Sequence, residues 1–201
     1  MGLAAVYSTV FAPELFVLEA TAVLVGYEYR VRGWSERALA GRVGAVLAGW
    51  ALAFAVYAGG PELVAAPVPG GDDFYASAGL VAGFAVIWVA WTRQRLDSAG
   101  PAYCALLVAT SVVHAAVVPL WDVSSHVLYA TVPVAFLAAV DWRFAALLVV
   151  PGGMVWSRVA TGAHTAPEAV AGLALGAGLV AAALALRRTR DADRSGAARS
   201  R

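Results

Sequence analysis

Ser157-Arg158, His164 and Glu168 stand at the mouth of an apolar run, and Ser124-Ser125-His126 forms a second polar island ahead of them in the chain. Arginine presents a planar fork of donors suited to phosphate oxygens, and the hydroxyls of Ser124, Ser125 and Ser157 supply further donors. Two histidines, His126 and His164, can divide the work of nucleophile and proton transfer. Glu168 lies four residues after His164, on the same face of a helix starting there. It can accept the Nδ1 proton of His164 and leave Nε2 free to attack phosphorus, the division between base and orienter found in catalytic triads. Almost everything around the two islands is hydrocarbon. Ionisable groups at the edge of an apolar layer are costly to keep, so they point to function by default.

The elements that must position these residues are apolar helices. The chain has 201 residues, 61% of them hydrophobic and only 13% charged, more apolar surface than a water-soluble domain can hide. Against the roughly twenty residues that cross a bilayer, seven runs emerge: 11–27, 43–58, 75–91, 102–121, 126–140, 144–156 and 166–186. The expected fold is an all-α, polytopic membrane helix bundle of about seven spans, one domain over residues 1–186. An arginine-rich, unstructured tail is expected over 187–201. The fifth and sixth runs are short and read as a tight hairpin about Asp141-Trp142-Arg143. The first run contains Glu14 and Glu19 and no charged segment precedes it, so no cleaved signal peptide is expected. The single cysteine, Cys104, excludes an intrachain disulfide and a cysteine metal cage. No composition or motif points to nucleic acid, and no cofactor is implied.

Arginines fix the expected orientation, because positive loops stay cytoplasmic. Arg30, Arg32, Arg37 and Arg42 share one loop, Arg93 and Arg95 another, and six arginines the tail, whereas the loop 59–74 carries Glu62, Asp72 and Asp73 and no arginine. Alternation then places the N-terminus outside, the C-terminus in the cytoplasm, and both polar islands on the extracytoplasmic face of the cell membrane. Gly172 and Gly176 make a small-residue face suited to close packing within the bundle. Pro151-Gly152-Gly153 is expected to kink the sixth run. His114, mid-span, is expected to pair with another helix, with Glu19 a candidate partner.

At Ser157-Arg158, His164 and Glu168 the chain resembles the third motif of the type 2 phosphatidic acid phosphatase superfamily, Ser-Arg, five residues, His, three residues, Asp. Val123-Ser124-Ser125-His126 is similar to its second motif, Pro-Ser-Gly-His, and the likeness covers about 121–186. The superfamily includes lipid phosphate phosphatases, undecaprenyl pyrophosphate phosphatases and vanadium haloperoxidases. The resemblance implies hydrolysis of a lipid phosphate or pyrophosphate through a phosphohistidine, with His164 as nucleophile and His126 protonating the leaving group. It also implies that Arg158, Ser124, Ser125 and Ser157 hold phosphate, that Glu168 orients His164, and that no metal takes part. The chain departs from the family at its first motif, Lys, six residues, Arg-Pro, since it has no lysine. Arg93 followed by Gly100-Pro101 is the nearest match, and it belongs to the opposite face. Two other classes fit the same residues. One is a lipid-binding or transport protein with a degenerate site, favoured by the missing motif. The other is a zinc hydrolase using His114, His126, His164 and Glu168, disfavoured because Arg158 would repel the cation.

Overall fold

The computed structural model of the chain describes residues 2–64, 68 and 71–199. These form helices α1 (Leu3–Val10), α2 (Pro13–Arg32), α3 (Glu36–Leu63), α4 (Gly71–Arg93), α5 (Gly100–Val117), α6 (Ser125–Val140), α7 (Val149–Ala160) and α8 (Ala166–Arg199), with a 3-10 segment, Trp142–Leu148, between α6 and α7. No strand occurs among the described residues. Pro13 opens α2, where its missing N–H leaves no bond unmade, and it holds Ala12 extended at ψ 140°. The chain therefore breaks between α1 and α2, which meet with a bend of 52°.

Four helices are long and apolar enough to cross a membrane: α3, α4, α5 and α8 through Thr189; the bent α1–α2 pair makes a fifth if it is one span. The seven apolar runs thus give four or five helices of spanning length. The runs 126–140 and 144–156 become α6, the 3-10 segment and α7. At 16 residues and 1.5 Å per residue, α6 is only about 24 Å long, and α7 has 12 residues. Both pack against each other as the expected hairpin, and α6 also meets α2, α5 and α8. Eleven of its residues are buried, Ser125 and all from Val127 to Leu137 except Ala135. A helix apolar on every side and covered on every side is the centre of the bundle, not its lipid-facing wall.

Two apolar clusters flank α6. One joins Leu24, Phe84, Tyr103 and Phe136, the other Phe16, Val127, Met154 and Ala169. Gly172 and Gly176 lie against α6, where a Cβ would stand 2.8 Å from the Ser124 carbonyl oxygen and 2.9 Å from Thr131 Cβ. Their small-residue face packs within the molecule, as expected. Gly79 and Gly83 do the same between α4 and α3.

Several expectations are corrected. Helix α7 runs unbroken through Pro151, Gly152 and Gly153. Pro151 falls in the first turn, where backbone donors have no intrahelical partner to lose, so the irregular backbone lies earlier, in the 3-10 segment. From Arg187 to Arg199 the chain continues as helix α8 rather than as an unstructured tail, because arginine and alanine favour helix and no proline interrupts. Ser200 and Arg201 lie outside the described residues. His114 pairs with another helix as expected, but through Ser77 Oγ of α4 (2.9 Å), with the Val123 carbonyl at its other nitrogen (3.3 Å); the candidate partner Glu19 is exposed. Arg42, taken as a loop charge, is buried between the rings of Trp34 and Trp91 and donates to Ser98 Oγ. Buried Glu28 accepts from Ser98 and the Ala99 N–H, both at 2.6 Å, tying α2 to the start of α5.

Candidate functional site

The helix order brings the starts of α4, α6 and α8 and the ends of α5 and α7 to one end of the bundle, away from Arg42 and Arg93. Ser124 is the N-cap of α6, but its hydroxyl makes no capping bond. It is buried and has no partner. Its backbone N–H donates to the Glu168 carbonyl (3.3 Å), and His114, through the Val123 carbonyl, holds the preceding residue. Ser125 and His126 follow, and both line a cavity of about 320 Å³. Trp50, Phe54 and Tyr129 give it aromatic walls, and Glu14, Asp72 and Asp73 also line it. His126 Nδ1 is buried without a partner.

The spacing from Arg158 to His164 has a local cause. After the last turn of α7, Gly162 adopts φ +69°, its N–H bonds the Val159 carbonyl (3.0 Å), and the Ala163 N–H bonds the Arg158 carbonyl (3.1 Å). This pair of bonds around a left-handed glycine is a Schellman motif. The His164 N–H also donates to the Arg158 carbonyl (3.2 Å), so the backbone of Arg158 fixes where His164 begins. Thr165 then caps α8, and Glu168 returns a carboxylate oxygen to the Thr165 N–H (2.8 Å). Thr165-Ala166-Pro167-Glu168 has the sequence of a capping box, and Glu168 makes its half of it. His164 stands before the helix, not on it.

Glu168 nevertheless approaches His164, with Oε2 3.7 Å from Nδ1. That is an ion-pair separation and long for a hydrogen bond. Asp122, which sequence reasoning missed, reaches the same nitrogen, also at 3.7 Å. Arg158 is partly buried, its Nε has no partner, and Asp73 and Asp122 are the acidic groups whose charges act on it. His126 in turn lies within electrostatic reach of Arg158 and His164. Ser157 points elsewhere. It is fully buried against α1, bonding Ser8 Oγ (2.6 Å) and the Ala4 carbonyl (2.5 Å). Its neighbour faces the site because adjacent helical residues point about 100° apart. Ser157 therefore ties α1 to α7 and is not placed to hold phosphate.

Of the expected zinc ligands, His114 is committed to Ser77 and Val123, and the grouping with metal-like spacing is Asp122, His164 and Glu168. Arg158, Ser124 and both site histidines come together, then, as hydroxyl, imidazole and guanidinium groups with capacity to spare. Such a set can bind an oxyanion and move a proton beside it. No family model, curated protein or solved structure matches this chain.

Proposed function

We propose that the chain is a membrane phosphatase that hydrolyses a lipid phosphate or pyrophosphate through a phosphohistidine, as a divergent relative of the type 2 phosphatidic acid phosphatases. One observation carries the reading. Among the described residues, buried side-chain nitrogen and oxygen atoms without a hydrogen-bond partner occur on Ser124, His126, Arg158 and His164, and otherwise only on Arg42 and Gln94. Leaving such a group unsatisfied costs about 1–3 kcal/mol, and four of these residues share one end of the bundle. A phosphate would satisfy Ser124 Oγ, His126 Nδ1 and Arg158 Nε together, while His164 Nδ1 faces the carboxylates of Asp122 and Glu168.

The chemistry follows from the groups. Arg158 and the Ser124 hydroxyl hold non-bridging oxygens, and Ser125 lies beside them. His164 Nε2 attacks phosphorus, its Nδ1 proton directed toward Glu168. As the bond to the leaving oxygen breaks, His126 supplies that oxygen with a proton, and the same residue then takes one from the water that cleaves the phosphohistidine. Charge stabilisation dominates phosphoryl transfer, and with one arginine the site is weakly armed, so a slow enzyme is expected. The arginine-rich ends of α2, α4 and α8 favour a cytoplasmic placement for that side and an extracytoplasmic one for the site. A lipid-binding protein is the second reading, favoured by the two aspartates, Asp73 and Asp122, that already offset Arg158.

Phosphate release by the purified protein from phosphatidic acid, phosphatidylglycerophosphate and a polyprenyl pyrophosphate tests the proposal. Release from at least one, inhibited by vanadate and surviving chelator, is expected. Wild-type release equal to that of His164→Ala on every substrate would leave the binding protein.

A further inference from the structure

His164 meets two carboxylates where a proton relay needs one. Its Nδ1 carries at most one proton, yet Asp122 Oδ2 and Glu168 Oε2 both stand 3.7 Å from it. The three ligand atoms lie within 4.8 Å of one another. Two ligands each ~2.1 Å from a tetrahedral ion are about 3.4 Å apart, so the two His164 edges need close only slightly. The His164 side chain is 7% exposed, and Nδ1, aimed between the carboxylates, has no hydrogen-bond partner. Asp122 is 62% exposed, which gives an ion a path from water. Glu168 keeps its capping bond through one lone pair of Oε2 and has others to offer.

We infer that Asp122, His164 and Glu168 form a site for a divalent cation that accepts one imidazole nitrogen and two carboxylate oxygens, Zn²⁺ being the best match, and that the bound ion switches His164 off. The binding half stands on the cluster alone; the inhibitory half rests on the phosphatase reading. Coordination uses the Nδ1 lone pair, so the ring's one proton is confined to Nε2. Nε2 then has no lone pair to give to phosphorus. The second carboxylate, superfluous for orienting an imidazole, is what a cation requires.

Zn²⁺ titrated into the full chain in detergent, followed by calorimetry, tests the binding half, and the visible absorption of Co²⁺ in its place reports coordination number. Saturable binding of one ion, weakened at least tenfold by Asp122→Asn and by His164→Ala, is expected, with Asp122→His retaining affinity because it keeps a ligand atom. Melting without metal checks that each variant folds. Binding that is absent, or unchanged in both variants, would overturn the site. For the inhibitory half, the Zn²⁺ concentration that halves phosphate release, normalised to each protein's own rate, should match the binding midpoint and rise at least tenfold in Asp122→Asn. Stimulation by Zn²⁺ would overturn the switch. Binding without any phosphatase activity would remove the phosphatase reading and leave the cation site standing.

Discussion

Gly162→Ala isolates the turn that sets His164 against Arg158. Gly162 sits at φ +69°, and a Cβ built there meets nothing within 4 Å, so any cost is conformational and not steric. A left-handed alanine costs about 1–2 kcal/mol, while replacing glycine restricts the unfolded chain and returns about 0.4–1 kcal/mol. The net expectation is a loss of about 1 kcal/mol. Gly152→Ala is the matched control. It also meets open space, but inside α7, where alanine is favoured over glycine by about 0.5–1 kcal/mol. The two substitutions should therefore differ in sign and by roughly 1.5–2 kcal/mol, and at about 2–4 °C per kcal/mol for a chain this size the melting temperatures should part by several degrees. Thermal unfolding in one detergent measures this. Vanadate affinity adds a readout that a merely structural turn would not move: it should fall in Gly162→Ala and hold in Gly152→Ala. Equal melting shifts for the two variants would refute the role given to the Schellman turn.

Other outcomes follow from the same geometry. His164→Ala should abolish turnover and any acid-labile phosphoenzyme. His126→Ala should slow formation of the phosphoenzyme from substrates with alkoxide leaving groups by about 10²–10⁴ yet spare the initial burst of nitrophenolate from nitrophenyl phosphate, whose release needs no proton, and equal loss of that first step on both would remove the acid role. Ser157→Ala removes the bonds to the Ser8 hydroxyl and the Ala4 carbonyl, at about 1–2 kcal/mol; it should lower melting while vanadate affinity holds. Glu28→Gln weakens the charge-assisted bonds that Ser98 and the Ala99 N–H donate to it and removes the carboxylate linked to buried Arg42 through Ser98, expected to cost about 1.5–3 kcal/mol; a melting temperature within a degree of the parent would refute that role.

Hydropathy made the all-helical bundle legible, and it failed where helices are short. A buried helix such as α6 and a spanning helix are equally apolar, so hydropathy alone makes spans of runs 126–140 and 144–156 although the folded elements fall short. Other signals are local. Thr165-Ala166-Pro167-Glu168 is a readable capping box, and it moves the start of α8 past His164. Thr161-Gly162 is a readable helix stop, and it accounts for the distance from Arg158 to His164. Ser157 and Arg158, adjacent on α7, could not both face one site, a constraint that helical geometry supplies without coordinates. Asp122 is different: it lies in the loop between α5 and α6, where no periodicity fixes direction, and only the packing of α8 on α6 brings its carboxylate to His164. The hydrogen-bond chain from Arg42 through Ser98 to Glu28 likewise joins two helices through a long-range fit that local pattern does not encode.

Four helix N-termini, those of α2, α4, α6 and α8, share the end of the bundle where the site lies, and each brings partial positive charge and unbonded N–H groups. Three of them supply their own anions. Helix α2 carries Glu14 in its first turn, α4 carries Asp72 and Asp73, and α8 carries Glu168, bonded back to Thr165. Helix α6 has no acidic residue in its first turn and no side-chain cap, although Ser124 stands in the capping position. The Ser124 hydroxyl makes no bond to the backbone donors it would ordinarily serve. An anion from outside the chain therefore has one favourable place to sit, over the start of α6 beside Ser124, His126 and Arg158, while a cation is favoured a few residues away between the carboxylates of Asp122 and Glu168. The two binding preferences meet at His164, which belongs to both, and occupancy of the second is expected to govern chemistry at the first.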